Sequence, residues 1–315
     1  MKIAIVGPGF MPIPSTGWGA VENLIWDIRC ELIKLDHEVE IINTTNRSLI
    51  IEKVNSIKPD FVHVQYDDYA DCIPHFECKN VALTSHYGYL TQPHRWDNGY
   101  KQIFMNSCNS GATIFALSPQ IASIYKSVGL PEEKIKIVPN GVNFNVFNFV
   151  ESKDRFNKTA CVAKVENRKR QYLTQDLSQV LYYGRTAPGL ENFQNHKNYI
   201  GELNRDVLFS KLTYHDNLIL LSDGEAHALV LNEAMSAGLG LVISELAWSN
   251  VDPKLPFISI IPELLINDKD YVNYVIEENA KKSIQHRNDI RKYASSWSWE
   301  NIVKSVYLPA IKFCK

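Results

Sequence analysis

Two glutamates separated by eight positions are the residues whose types best suit ligand binding. Glu225 and Glu233 follow an apolar run at 218–221 that is typical of a buried strand. The pattern predicts a helix that begins near His227 or Ala228 and ends at Gly238. At about 100° per residue, the two carboxylates lie about 80° apart on a continuous helix, so each would hold a different part of one ligand.

The start of this helix is itself a candidate anion site. The first turn of an α-helix has N–H groups without internal acceptors, and the helix dipole favours negative charge there. The spacing alone leaves a second interpretation open, in which Glu225 is only a charge at a helix start and Glu233 is a solvated helix residue.

A cluster of cations follows the predicted strand at 160–163. It comprises Lys164, Arg168, Lys169 and Arg170. Such a cluster suits a pyrophosphate group, although a solvated basic helix start is the commoner meaning of a basic run.

Two candidate sites lie in the first half of the chain. Gly17 and Gly19 precede a predicted helix, where glycines let the backbone approach an anion or a substrate, although an ordinary loop explains them equally well. His86 directly follows a predicted strand, at the edge where open α/β sheets bind ligands. A lone histidine is more often structural.

Two further patterns carry less weight. The opening Gly-Pro-Gly at 7–9 lacks the remaining features of a dinucleotide site, because Pro12 and Asn43 stand where a glycine and an acidic residue are needed. Asp268 and Asp270 have the spacing of a metal-binding pair, but they precede a helical run. Helix capping explains them better, so we expect no metal site.

The elements that must position these residues alternate between strands and helices, which predicts an α/β protein with doubly wound parallel sheets. A polar stretch at 151–158 follows the turn residues at 139–141 and indicates a boundary. We therefore expect one domain at 1–150 and another at 151–315. The predicted strands are 3–6, 39–42, 61–64, 81–84, 113–117 and 135–138 in the first half, and 160–163, 180–183, 198–200, 218–221, 239–243 and 257–261 in the second.

Composition excludes several classes of protein. A formal net charge of −2 over 315 residues gives no global field for nucleic acid. The six cysteines include no C-x-x-C pair, so neither a zinc site nor a disulfide framework is indicated. The short apolar run at the start is no signal peptide or membrane span, so we expect a cytoplasmic protein, with peripheral membrane contact left open.

Taken together, the motifs resemble those of glycosyltransferase family 4, which comprises nucleotide-sugar-dependent enzymes of the GT-B fold. The family's two-glutamate signature matches Glu225 and Glu233, and the residues at 233–238 read Glu-Ala-Met-Ser-Ala-Gly, as is usual there. Further matches are the glycine-rich opening at Gly17, Gly19 and Glu22, the strand-end His86, the Pro-Asn-Gly-Val segment that runs from Pro139 to Phe147, and the cation pair Lys164 and Lys169.

This resemblance implies a fold and an activity. The fold would consist of two Rossmann-like domains facing a central cleft, an N-terminal domain for the acceptor and a C-terminal domain for the donor, with the last helix returning to the first domain. The activity would be transfer of a hexose-type sugar, with retention, from a UDP- or GDP-linked donor to a hydroxyl of a glycan or glycoconjugate. No metal or other cofactor would be required.

The resemblance also implies roles for individual residues. His86, Glu225 and Lys169 would form the catalytic set, with Glu225 contacting the donor sugar and His86 facing it from the other domain. Lys164 and Lys169 would bind the diphosphate, and Glu233 would bind the ribose hydroxyls. The remaining donor-binding residues would be Gly17, Gly19, Leu229 and Val230.

Some positions depart from the family pattern. Ala163 and Lys164 replace a Gly-Arg pair, His227 and Ala228 replace a Phe-Gly pair, and Leu239 replaces a proline. Replacing arginine by lysine keeps the charge but loses bidentate geometry. Two alternatives therefore stay open: a catalytically degenerate sugar-nucleotide-binding protein, and an NAD-dependent enzyme that modifies nucleotide-sugars.

Overall fold

The chain divides into two compact units. Unit 1 comprises Met1–Gly141 together with Trp299–Lys315, and unit 2 comprises Val142–Ser298. The computed structural model describes residues 1–15, 19–151, 156–248 and 250–314. None of the helices in these ranges combines the length and the apolar character that a membrane-spanning segment requires.

Unit 1 is built on a six-stranded parallel sheet. The strands are β1 Lys2–Gly7, β2 Glu38–Asn43, β3 Phe61–Val64, β4 Val81–Leu83, β5 Thr113–Ala116 and β6 Ile135–Ile137, and their order is β2-β1-β3-β4-β5-β6. The α-helices are α1 Ala20–Lys34, α2 Arg47–Ile57, α3 Asn98–Asn109 and α4 Pro119–Ser127. Short 3-10 helices span Asp67–His75, Pro93–Arg95 and Glu132–Lys134.

Local sequence explains where these helices form. Helix α1 buries Leu24, Ile25, Ile28 and Leu32, which recur at the period of an α-helix and face the sheet. Helices α2, α3 and α4 each begin at a side-chain cap, because Asn46, Asp97 and Ser118 accept a hydrogen bond from a backbone N–H three residues on.

Unit 2 has a second six-stranded parallel sheet. The strands are β7 Thr159–Val162, β8 Val180–Tyr183, β9 Tyr199–Gly201, β10 Asn217–Leu220, β11 Gly240–Ser244 and β12 Ile258–Ile261, and their order is β12-β11-β10-β7-β8-β9. The α-helices are α5 Arg205–Leu212, α6 Leu229–Ser236, α7 Lys269–Gln285 and α8 Arg287–Ser295. The 3-10 helices are Phe144–Val146, Asn167–Lys169, Gln171–Leu173, Glu191–Asn195 and Glu263–Leu265.

The sheet of unit 2 is buried on both faces. Leu218 and Leu220 of β10 pack in the cluster that includes α6 and α8, whereas Ile219 packs in the cluster that includes α7. Alternate residues of one strand therefore serve two hydrophobic cores, which is why β10 is apolar almost throughout.

The C-terminal segment of the chain is part of unit 1. It contains α9 Trp299–Ile302, a π-helical turn Val303–Tyr307 and α10 Leu308–Ile311. Trp299 packs so closely on Gly141 that a Cβ atom at position 141 would lie 2.7 Å from its ring. The glycine of the Pro-Asn-Gly segment is thus required by this contact.

The predicted fold class is confirmed. All twelve strands predicted from the sequence are present, and their ends differ from the prediction by at most one residue. The order of strands in both sheets is that of doubly wound α/β folds, whose ligands bind beyond the carboxyl ends of the strands.

Candidate functional site

The candidate residues Lys169 and Glu225 lie in loops that follow two paired strands of unit 2. Strands β7 and β10 lie side by side and parallel. The 3-10 helix Asn167–Lys169 follows β7, and Glu225 lies in the loop between β10 and α6. The two loops are joined through the main chain, because the Asp223 N–H donates to the Arg168 carbonyl at 2.9 Å.

Glu225 is the centre of a compact ion cluster. Its Oε1 accepts a hydrogen bond from Lys169 Nζ and lies 3.2 Å from the NH1 nitrogen of Arg168. Only 9% of the Glu225 side chain and 13% of the Lys169 side chain are exposed. Burial by itself raises the pKa of Glu225, but the two cations outweigh burial and hold this pKa below its ordinary value, so the carboxylate is charged at neutral pH.

Arg168 belongs to this cluster although the family motif gives it no role. Its NH1 donates to the Gly224 carbonyl at 2.7 Å, and its NH2 donates to Glu166 Oε1 at 3.2 Å. The guanidinium therefore braces the Glu225 loop against the loop that follows β7. The one sequence signal for this role is its place beside Lys169 in the basic run.

Lys164 stands at the margin of the cluster. Its Nζ lies 3.7 Å from Glu166 Oε2, and 38% of its side chain is exposed. Among the described residues, no ion pair joins Lys164 to Glu225. The structure brings Lys169 and Glu225 together directly, whereas it connects Lys164 to them only through Glu166 and Arg168.

The second glutamate lies on α6, which begins where the sequence predicts. Ala228 is the N-cap residue, and Leu229 and Val230 occupy the first two helical positions, where backbone N–H groups have no acceptor within a helix. Glu233 is half-buried at the fifth position. The helix terminates before Gly238, whose φ of +85° is the left-handed conformation that favours glycine.

The two residues that depart from the family pattern in this loop are buried. The Nε2 of His227 lies 3.4 Å from Asn232 Nδ2, and its ring lies 6.0 Å from the ring of Trp297. Ala228 is also buried, as the N-cap of α6. The His-Ala pair that stands in place of Phe-Gly is therefore part of the buried packing at the start of α6.

In unit 1, His86 lies just beyond β4, at the corresponding edge of the first sheet. The residue is half-buried, and its Nε2 lies 2.9 Å from Gln65 Oε1. Burial lowers the pKa of His86 to about 4, so the imidazole is neutral at physiological pH.

The glycine-rich opening is described only in part. Gly17 lies outside the described residues. Gly19 is the N-cap of α1, and its φ of +131° is a conformation that side chains rarely adopt. Glu22, the third residue of the opening motif, is buried in the first turn of α1.

Asp268, at the start of α7, has the capping role that the sequence favours. Asp268 is the N-cap of α7 and accepts a hydrogen bond from the Tyr271 N–H at 3.0 Å. Within the described ranges, no cluster of three or more histidine, cysteine, aspartate or glutamate side chains could hold a metal ion.

Comparisons with known proteins extend these findings. Residues 43–146 match a family model described as Glycosyltransferase Family 4, while the two-glutamate motif lies outside the matched range. A comparison with curated proteins finds no match.

Solved structures match along almost the whole chain. HepE from Anabaena, crystallised with UDP and glucose, has a TM-score of 0.76 at 15% identity, and the match covers 98% of this chain and 99% of HepE. Sucrose-phosphate synthase from Thermosynechococcus elongatus has a TM-score of 0.75 at 13% identity, with 96% of each chain covered. WaaG, a glycosyltransferase of lipopolysaccharide biosynthesis, has a TM-score of 0.72 at 12% identity, with 99% of each chain covered. The sequence match and these structural matches together identify a GT-B protein that resembles glycosyltransferase family 4.

Proposed function

We propose that the protein is a retaining glycosyltransferase that needs no metal ion. It moves a hexose-type sugar from a nucleoside-diphosphate-sugar to a hydroxyl of a glycan or glycoconjugate. The observation that carries this proposal is the ion cluster of Lys169, Arg168 and Glu225 at the edge of the sheet where α6 begins.

The cluster provides what departure of a nucleoside diphosphate requires. Breaking the bond between the sugar and the phosphate leaves growing negative charge on the phosphate oxygens. Lys169 and Arg168 are held in place by Glu225 before any ligand arrives, and the N–H groups at the start of α6 lie at the same end of the sheet. Fixed positive groups stabilise the transition state more than the ground state, which is the role a metal ion has in other transferases.

The two glutamates have separate tasks in this proposal. Glu225 contacts the donor sugar while it holds the two cations, and Glu233 accepts hydrogen bonds from the ribose hydroxyls. A carboxylate suits a ribose diol for the same reason that an acidic residue binds ribose in dinucleotide folds. Lys164, at the margin of the cluster, adds a positive charge that attracts the diphosphate. His86, in unit 1, is a neutral group that contacts the sugar.

A uridine diphosphate donor is the first to test, because the structure of HepE contains UDP and glucose. Thermal-shift measurements with UDP, GDP and ADP would rank the nucleotides, since a ligand that binds the folded state raises its apparent stability. Hydrolysis of UDP-glucose and GDP-linked sugars in the presence of a chelator would then test activity without metal. We expect one nucleotide to stabilise the protein and its sugar conjugate to be consumed.

Three outcomes would redirect the proposal. Stabilisation by a nucleotide with no hydrolysis or transfer would favour a degenerate sugar-nucleotide-binding protein. Absorbance of bound NAD in the purified protein would favour an enzyme that modifies nucleotide-sugars. Inversion at the anomeric carbon of the product, measured by NMR, would exclude retention.

A further inference from the structure

A chain of buried hydrogen bonds extends from His86 into the core of unit 1. His86 Nε2 lies 2.9 Å from Gln65 Oε1, and Gln65 Nε2 lies 3.1 Å from His63 Nδ1. His63 Nε2 then meets Thr84 Oγ1 at 2.8 Å. Gln65, His63 and Thr84 are each only 2% exposed, so water cannot replace their hydrogen-bond partners.

The hydrogen bond at the far end of this chain favours one tautomer of His63. Thr84 has one hydroxyl proton, which it donates to the Phe115 carbonyl at 3.2 Å. Its oxygen must therefore accept from His63, so the proton of His63 is on Nε2. Burial lowers the pKa of His63 to about 3, which leaves the ring neutral and its Nδ1 a pure acceptor.

The tautomer of His63 in turn sets the orientation of Gln65 and the tautomer of His86. The amide oxygen of Gln65 cannot face an unprotonated His63 Nδ1, because both are acceptors, so the NH2 group of Gln65 points toward this nitrogen at 3.1 Å. The Tyr307 hydroxyl lies 2.9 Å from the same nitrogen. The amide oxygen of Gln65 then faces His86, whose Nε2 must donate to it. The reversed arrangement would take the Thr84 proton away from the Phe115 carbonyl and leave that contact without a donor.

We propose that Gln65, supported by His63 and Thr84, is a positioning residue that fixes His86 in the Nε2–H tautomer and leaves its Nδ1 as an acceptor for a ligand hydroxyl. No hydrogen bond to Nδ1 occurs among the described residues. An unprotonated nitrogen binds a hydroxyl group but rejects phosphate and carboxylate oxygens, because these carry no proton at neutral pH. The site thus selects a group that donates a hydrogen bond, such as a hydroxyl, which under the proposed function belongs to a sugar.

This inference rests on the proposed function only for the identity of the ligand, and the tautomer is measurable without substrate. Two-bond proton–nitrogen NMR spectra of protein labelled with 15N-histidine, with His86 assigned by its loss in His86→Asn, would report both ring nitrogens. At pH 7 we expect a protonated Nε2 and an unprotonated Nδ1. A proton on Nδ1 would overturn the proposal, whether or not the protein transfers sugars.

Two substitutions at Gln65 separate positioning from simple packing. Gln65→Leu removes the acceptor, so the His86 signals should move toward a mixture of tautomers and turnover should fall about tenfold, as for loss of one oriented hydrogen bond. Gln65→Glu keeps an acceptor oxygen for the His86 Nε2–H but loses the NH2 group that faces His63 Nδ1, so the proton on His86 Nε2 should persist while the His63 signals change. Gln102→Leu, on the exposed side of α3, is the matched control. A Gln65→Leu protein that is less stable but keeps the wild-type tautomer would show that Gln65 only packs.

Discussion

The two units have similar parallel sheets, yet they hold their candidate residues in opposite electrostatic states. In unit 1, His86 is desolvated and neutral and ends a chain of uncharged hydrogen-bonding groups. In unit 2, Glu225 is similarly covered but stays charged, because Lys169 and Arg168 lie against it. Desolvation acts on both residues, and the presence or absence of a counter-charge decides the outcome.

This contrast indicates which chemical groups the residues beyond the carboxyl ends of each sheet can bind. A neutral network discriminates by the direction of its donors and acceptors, so it suits hydroxyl groups. With Lys164 and Glu166 included, the cluster has three cations and two anions, so its one surplus positive charge suits a phosphate group. The same sheet architecture can therefore suit neutral or charged groups, depending on the residues that follow its strands.

The largest expected effect on turnover is at the charged site. We expect Lys169→Ala to lower turnover by about 100-fold, as for removal of one group that stabilises developing charge. Steady-state kinetics with UDP-glucose would measure the effect. Lys269→Ala is the control, because Lys269 also forms an ion pair, with Asp176, but at an exposed position of unit 2. Equal kinetics for the two variants would remove Lys169 from the site.

The neutral site should make the protein sensitive to acid. The pKa of His86 is lowered from 6.5 to about 4 by burial, so the unfolded chain binds more protons than the folded one between these values. The contribution of His86 is present above pH 6.5 and is lost as the pH falls toward 4, a change of up to about 3 kcal/mol in the free energy of unfolding.

Urea denaturation at pH 7 and pH 4 would test this contribution. The loss of stability on acidification should be smaller in His86→Asn than in the wild type, and unchanged in His94→Asn, whose residue is exposed. Glu225 contributes in a lower pH range. Because its pKa is lowered, its charged form adds stability that is lost only as the pH falls below the ordinary value of 4.5. A His86→Asn protein with the full wild-type acid sensitivity would contradict the desolvated state of His86.

The second glutamate should affect binding more than chemistry. We expect Glu233→Ala to weaken UDP binding by about 30-fold, since hydrogen bonds to a charged group are worth about 2 kcal/mol. Titration calorimetry would measure this, with Glu277→Ala on the exposed side of α7 as the control. An unchanged UDP affinity in Glu233→Ala would rule out the ribose assignment.

The fold and part of the site follow from local sequence. Apolar runs bounded by turn residues locate the strands, and the same rule places Glu225 in a loop and Glu233 on a helix. Arg168 could not be selected in this way, because its role depends on a contact with the Gly224 carbonyl, 56 positions away.

The network behind His86 is equally invisible in the sequence. Gln65 and His63 lie on or next to β3 and read as ordinary strand residues, while Tyr307 joins them from a segment 244 positions away from His63. Contacts of this kind can be predicted only when the strand order is known, because neighbouring parallel strands are joined by long crossovers. Sequence patterns therefore predict which loops carry a site, while the partners that set protonation require the structure.

The smallest expected effect concerns a carboxylate that lies outside both sites. Asp268 caps α7 through the Tyr271 N–H, so Asp268→Ala should lower the free energy of unfolding by about 1 kcal/mol and leave turnover unchanged. Asp268→Asn is the matched control, because asparagine caps a helix as well as aspartate but is a poorer metal ligand. If activity required Mn²⁺ and both variants lost it, Asp268 would be a metal ligand. Unit 2 would then bind phosphate through a bridging cation, and the contrast between a charged and a neutral site would no longer rest on Lys169 and Arg168.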